Sequence, residues 1–239
     1  MGGKIDCYLD CTSFYGYLTF QHLLKERETL RSHGVEVEFF PVFLGGINVL
    51  SGNKPPWSLP AKAAYAVFDG TRAKKHFATP AFDAPAIRTP DFFPILSILP
   101  QRAMAYIKDH FAPAKFEEVF MALFPALWVP PQTDLSVPVN FEVRSRSILL
   151  VLCPSAAIMA GASPAYKQKL TDLTKKVVDE QGAFGCPWFW VTKFDAQGGE
   201  GTGTGEPFFG SDRFHFMWEH LGLPWEDVRL LPKGATARL

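Results

Sequence analysis

The chain has 239 residues, 47% hydrophobic and 20% charged, with Lys+Arg and Asp+Glu both at 24, the balance of an ordinary globular protein. Neutral charge without a Lys/Arg cluster argues against nucleic acid and against an anionic membrane surface as partners. The longest apolar stretch, Ile148 to Ala162, is broken by Pro154 and is shorter than the roughly 20 residues that span a bilayer, and no apolar segment of the secretory kind follows the first lysine; a soluble protein is expected.

In chain order, residues 4 to 10 (KIDCYLD) alternate Ile5, Cys7 and Leu9 against Lys4, Asp6 and Asp10, the period of a strand. Thr12 and Ser13 open a helix that carries Phe14, Tyr17, Leu18, Leu24 and Leu30 and stops at Gly34. Val35 to Val42 reads as a second strand, giving a parallel crossover unit at the start of an α/β fold. The middle has helical spacing over Trp57 to His76, Asp91 to His110, Lys115 to Trp128 and Ala165 to Gly182, with proline-containing joints. Strand character returns in Pro187 to Thr192 and Glu206 to Phe209, before a last helix from Ser211 to Leu221. The glycine-rich run 198–205 between those strands lacks the lysine of a phosphate-binding loop and is expected to be a hairpin tip. The organisation read from this order is an α/β module over 1–44 and 183–239, split by an inserted helical domain over 45–182.

Ser13 stands where a strand ends and a helix begins, so its hydroxyl and the free N–H groups of the first turn aim at one spot, which favours an anion. Taken alone, Ser13 or Thr12 is an ordinary N-cap. Gly185-Cys186-Pro187 precedes a strand, and a cis bond before Pro187 would offer the Cys186 backbone to a peptide ligand for β-like pairing. Gly210-Ser211-Asp212-Arg213 is read as opening the last helix, with a carboxylate suited to an α-amino group. Four cysteines, Cys7, Cys11, Cys153 and Cys186, form neither a CxxC pair nor a metal-type double pair, which fits a reducing compartment and inert buried thiols. The six histidines show no paired-ligand spacing, so no metal is expected. Aromatic residues make up 14% of the chain, enough for a packed interior or for an apolar site.

Several motifs in one order carry a family resemblance: Ser51-Gly52-Asn53-Lys54-Pro55-Pro56, Gly182-Ala183-Phe184-Gly185 with Pro187, Phe209-Gly210-Ser211-Asp212-Arg213, and the final Ala237-Arg238-Leu239. The chain resembles the kappa class of glutathione transferases over nearly its whole length. The resemblance implies a thioredoxin-like domain interrupted by an all-α domain, related to 2-hydroxychromene-2-carboxylate isomerases and DsbA-type oxidoreductases. It implies glutathione as substrate, with Ser13 hydrogen-bonding the sulfur as the catalytic residue and Phe14 and Tyr15 following on the binding turn. Asn53 and Lys62 match glutathione contacts, Lys62 toward the glycine carboxylate. Cys186 and Pro187 supply the main-chain pairing, and Ser211 and Asp212 hold the γ-glutamyl end. Hydrophobic electrophiles or organic hydroperoxides are the implied co-substrates, and a homodimer the implied assembly. The C-terminal Ala-Arg-Leu is similar to a peroxisomal address; otherwise a mitochondrial or cytoplasmic location is implied.

The turn departs from the family pattern Ser-Pro-Tyr-Ser in reading Ser13-Phe14-Tyr15-Gly16. Loss of proline at the first helical position removes a preset φ, and Gly16 costs about 1 kcal/mol of helix propensity against alanine, so a looser turn is expected, with Phe14 free to form an apolar wall for an electrophile. The lack of attacking and resolving thiols at Ser13-Phe14-Tyr15-Gly16 argues against a dithiol oxidoreductase. Two rivals remain beside the transferase: a glutathione-dependent isomerase of the 2-hydroxychromene-2-carboxylate type, and a non-catalytic thioredoxin-like binding module.

Overall fold

The computed structural model describes residues 2–145, 154–195 and 203–226. Cys153, residues 198–202 of the glycine-rich run and the C-terminal Ala237-Arg238-Leu239 lie outside the described residues. The elements are β1 (Gly3–Leu9), α1 (Phe14–Ser32), β2 (Val35–Pro41), α2 (Leu44–Ser51), α3 (Pro60–Phe77), α4 (Ile98–His110), α5 (Pro113–Trp128), α6 (Pro138–Ser145), α7 (Pro154–Gly161), α8 (Pro164–Asp179), β3 (Trp188–Lys193), β4 (Thr204–Phe209) and α9 (Phe214–Leu221). The sheet runs β2-β1-β3-β4. β1 and β2 are parallel, whereas β3 is antiparallel to both β1 and β4. A βαβ unit followed, after a helical insertion, by a ββα unit is the thioredoxin-like arrangement.

Local chemistry explains most boundaries. α1 ends at Ser32 with His33 as its C-cap, and Gly34 follows at φ 73°, the left-handed stop that glycine adopts without strain. α3, α5, α6, α7 and α8 each begin at a proline, which supplies a helical φ where its missing N–H would have no partner. α4 starts at Ile98 instead of Asp91, because residues 91–97 form an irregular turn that delivers Ser97 to the end of β1. α2 carries Gly45 and Gly46 and so reads poorly as a helix. A Cβ on Gly45 would lie 2.7 Å from the Phe43 ring, so the glycine is needed for packing.

Helices cover both faces of the sheet. On one face Ile5, Cys7, Leu9, Phe39, Phe189 and Val191 pack with α1, α4, α5 and α9. Much of the phenylalanine content is spent here: Phe20 sits 4.8 Å from Phe39 and 5.6 Å from Phe124 between ring centroids, and Tyr17 stacks on Phe124 at 5.0 Å. On the other face Tyr8, Val42 and Trp188 pack against Ile47 of α2 and Val177 of α8. The two-sided cover is why Cys7, Tyr8 and Leu9 are buried in succession although β1 alternates in sequence.

His22 of α1 lies between Phe77 and Phe214, at 5.6 and 4.2 Å. Burial lowers its pKa from 6.5 to about 4. Between those values the unfolded chain binds a proton that the folded one refuses, so stability rises with pH across this window and falls on acidification. Going from about pH 7 to about pH 4.5 should cost about 2 to 3 kcal/mol through this residue. Urea unfolding at the two pH values checks this: His22→Gln should flatten the difference, and an unflattened difference would contradict it.

Candidate active site

β1 ends at Leu9, and Asp10, the next residue, is completely buried. Its Oδ1 accepts from Thr12 N–H at 3.0 Å and Thr12 Oγ1 at 2.9 Å; its Oδ2 accepts from Leu44 N–H at 2.8 Å and Ser97 Oγ at 2.6 Å. Burial pushes the carboxyl above its ordinary range, and these donors offset only part of that rise. Beside it Gln101 of α4 donates from Nε2 to both Leu9 O and Val42 O at 2.7 Å, and Trp128 of α5 donates from Nε1 to Cys11 O at 2.9 Å. The turn between β1 and α1 is therefore held by α2, α4 and α5 together.

That turn presents Ser13, 5% exposed, as the N-cap of α1. Its Oγ accepts from Gly16 N–H at 3.0 Å and donates to Cys186 O at 3.0 Å. The N–H groups of Phe14 and Tyr15, at the first positions of the helix, have no intrahelical acceptor. A Cβ on Gly16 would lie 2.9 Å from Ser13 Cβ and 3.1 Å from its Oγ. Gly16 thus gives the cap its room, and the turn, expected to be loose, is closed by that bond. Cys186–Pro187 is a cis peptide bond. The Cys7, Cys11 and Cys186 thiols are buried, and burial raises each well above the ordinary thiol value, which makes them poor nucleophiles.

Around Ser13 the sequence-predicted residues form a linked rim. Asn53 donates from Nδ2 to Phe184 O at 2.6 Å, tying the turn after α2 to the segment that carries Cys186. Gly210 N–H donates to Pro187 O at 3.2 Å, bringing the 210–213 turn to the same segment. Ser211 is 5% exposed, whereas Asp212 is exposed and pairs with Arg213. α9 begins only at Phe214, with no side-chain cap, so Ser211 and Asp212 belong to the preceding turn and not to the helix. Tyr15 Oη donates to Asp69 of α3. Burial foremost, and then the Asp69 and Asp212 charges, raise the Tyr15 pKa, so Asp212 lies within electrostatic reach of the turn.

Lys62 is exposed and, among the described residues, makes no hydrogen bond or ion pair. It precedes Asp69 by two helical turns, about 10 Å along the same face of α3, with its ammonium group facing solvent. Phe14 packs toward Gly70 of α3 and Trp128 of α5. From Tyr15 a row of rings runs outward through Phe14, Trp128 and Phe93 to half-exposed Trp57, with centroids 4.9, 5.9, 5.4 and 5.0 Å apart.

Sequence reasoning missed Asp10, Asp69, Gln101 and Trp128. Asp10 carried a signal, a carboxylate next to Cys11-Thr12-Ser13 at a helix start, but the strand alternation assigned it to the polar face. Asp69 and Gln101 sit among ordinary polar helix positions and only become partners through the fold. Among the described residues no group of three or more His, Cys, Asp or Glu could hold a metal, and no helix is long and apolar enough to cross a membrane.

No family model matches the chain. It is similar to glutathione S-transferase kappa 1 of Caenorhabditis elegans, 27% identical over 230 residues, covering 92% of each chain. It is also similar to glutathione S-transferase kappa 1 of Homo sapiens, 25% identical over 242 residues, covering 98% of this chain and 97% of the human one. Among solved structures, a 2-hydroxychromene-2-carboxylate isomerase superposes with a TM-score of 0.64 at 20% identity, covering 92% of this chain and 94% of that one; this likeness is one of fold. The resemblance read from the motifs is therefore a whole-length similarity to two kappa-class proteins.

As an N-cap alone, Ser13 stabilises α1. Ser13→Ala should lower the unfolding free energy by about 1 kcal/mol, measured by urea denaturation, and an unchanged value would contradict the capping geometry.

Proposed function

We propose that the chain is a glutathione transferase of the kappa type that holds the tripeptide's thiol as a thiolate at Ser13 and adds it to hydrophobic electrophiles. The observation that carries this reading is a serine hydroxyl set at the N-terminus of α1 beside the carbonyl of Cys186, in a chain similar end to end to kappa-class transferases. The Phe14 and Tyr15 N–H groups and the helix dipole supply positive potential at that point. Asn53, Cys186, Pro187, Ser211 and Asp212 would form the tripeptide's binding rim, with Lys62 reaching its glycine carboxylate from α3.

The energies suffice without a histidine. A thiol of pKa about 8.5 is about 3% ionised at pH 7, and about 75% ionised if lowered to about 6.5, a shift worth about 2.7 kcal/mol. A hydrogen bond to a charged sulfur supplies about 1.5 to 3 kcal/mol and a helix N-terminus about 0.3 to 1. Ser13 has one proton, which the structure places on Cys186 O, so binding must re-aim it at the sulfur. A backbone N–H of the tripeptide can replace it at the carbonyl.

Nucleophilicity falls as pKa falls, so thiolate formation alone gives only a few-fold gain in rate. The larger share must come from holding the electrophile in line, and partly exposed Phe14, at the start of the ring row beside Ser13, offers apolar surface for it. The same thiolate would attack an organic hydroperoxide, releasing the alcohol, with a second glutathione closing the cycle as glutathione disulfide and water. Pairing of two copies belongs to the same reading, and exposed Val49, Leu50, Leu59, Val67 and Phe68 on α2, α3 and the segment between them provide apolar area for it.

The test is stoichiometric. With glutathione and chlorodinitrobenzene, or cumene hydroperoxide, the protein should accelerate loss of glutathione and formation of the thioether, or of the disulfide. Glutathione that binds but is never consumed overturns the transferase; cis–trans conversion of a hydroxychromene carboxylate at constant glutathione would put the isomerase in its place.

A further inference from the structure

The donor set around Asp10 specifies a charge state. Both N–H groups, of Thr12 and Leu44, can only donate, and the hydroxyls of Thr12 and Ser97 also donate, so each carboxyl oxygen receives two bonds. The anion accepts all four bonds as they stand, whereas a protonated carboxyl must turn the Thr12 or Ser97 hydroxyl from donor to acceptor, so the shell suits the anion. The donors come from the turn before α1, the first residue of α2 and the N-cap of α4. Three helix N-termini thus converge on one buried negative charge, each favouring it.

Ser13 is three residues away, and its backbone N–H donates to Asp10 O at 2.9 Å. A carboxylate here shares its field with any anion held by the Ser13 hydroxyl, and like charges in a water-poor site oppose each other. The ionisable groups facing Asp10 are Cys11 on the turn and Cys186 before β3, and its charge disfavours ionisation of both. Cys7 on β1 is a neighbour of Cys186; α2 carries no ionisable side chain, and Arg102 of α4 makes no hydrogen bond to Asp10 among the described residues. Farther out, Asp69 and Asp212 act on Tyr15.

We infer that Asp10 is a positioning residue of the thiol site: a buried anion that aligns the N-termini of α1, α2 and α4 and opposes thiolate formation at Ser13. The consequence is a stronger nucleophile, because a thiolate of higher pKa attacks faster. For glutathione this rests on the function proposed above; the electrostatic claim itself does not.

Ser13→Cys places a probe thiol at the cap, and its ultraviolet thiolate absorbance is titrated from about pH 4 to 10 with Asp10 present and in the Asp10→Asn double variant. The inference expects removal of the charge to lower the probe's pKa by about one unit. With Ser13 intact, Asp10→Asn should move the acid limb of kcat/KM down by about the same amount and lower the plateau about threefold. A merely structural loosening would not lower the pKa, so an unchanged or raised probe pKa overturns the inference. Failure of the protein with Ser13 intact to bind glutathione, with the probe shift present, removes the proposed function and leaves Asp10's role standing. If Asp10→Asn does not fold, carbon NMR of the Asp10 carboxyl decides: a carboxylate at neutral pH supports the inference, a protonated acid overturns it.

Discussion

Asp10 has none of its surface exposed, and both its oxygens are committed to donors from separate elements. β1 ends beside it, the turn into α1 folds back onto it, and α2 and α4 start from it. A buried charge is tolerated only when it is fully hydrogen-bonded, so the four bonds must form together or the site does not close. Gln101 and Trp128 reinforce the same point from α4 and α5, donating to the carbonyls of Leu9, Val42 and Cys11. The helical insertion is thereby joined to the thioredoxin-like sheet at the end of β1, and Ser13 inherits its position from that junction.

On the proposed function, capping and thiolate binding draw on one hydroxyl. Ser13 accepts from Gly16 with a lone pair, which does not compete with donation. Its proton is the contested resource, held by Cys186 O and needed by the sulfur. A serine serves both because it can keep the cap while its O–H rotates, and Gly16 leaves space around it. A cysteine at this place would make a nucleophile of the protein; a serine leaves the nucleophile to the ligand. Phe14, where the kappa pattern has proline, puts a ring against α3 and α5 at the start of the aromatic row.

Much of this was legible in the residues. The alternation of Ile5, Cys7 and Leu9, the stop at Gly34 and the amphipathic spacing of α8 each follow from local rules, and together they fix an α/β module with a helical insertion. α2 was not legible, because Gly45 and Gly46 lower helix propensity for the sake of contact with Phe43. The start of α4 was placed too early because Ser97, although a good capping residue, spends its hydroxyl on Asp10 across the fold. Ser13 and the Cys186–Pro187 segment were visible through their places next to a strand and a helix. Asp69 and Gln101 were not, since their partners lie 54 to 92 positions away in sequence, where no local pattern reaches; Asp10 has Thr12 as a local partner, but its bonds to Leu44 and Ser97 come only with the fold.

On the proposed function, the Ser13 hydroxyl stabilises the sulfur of bound glutathione as an anion. The direct measurement is the pKa of the bound thiol, from thiolate absorbance, in the protein and in Ser13→Ala. Loss of a bond worth about 1.5 to 3 kcal/mol predicts a rise of about one to two units with the tripeptide still bound. A bound thiol whose pKa is the same in both proteins would contradict the account and leave Ser13 as a helix cap alone.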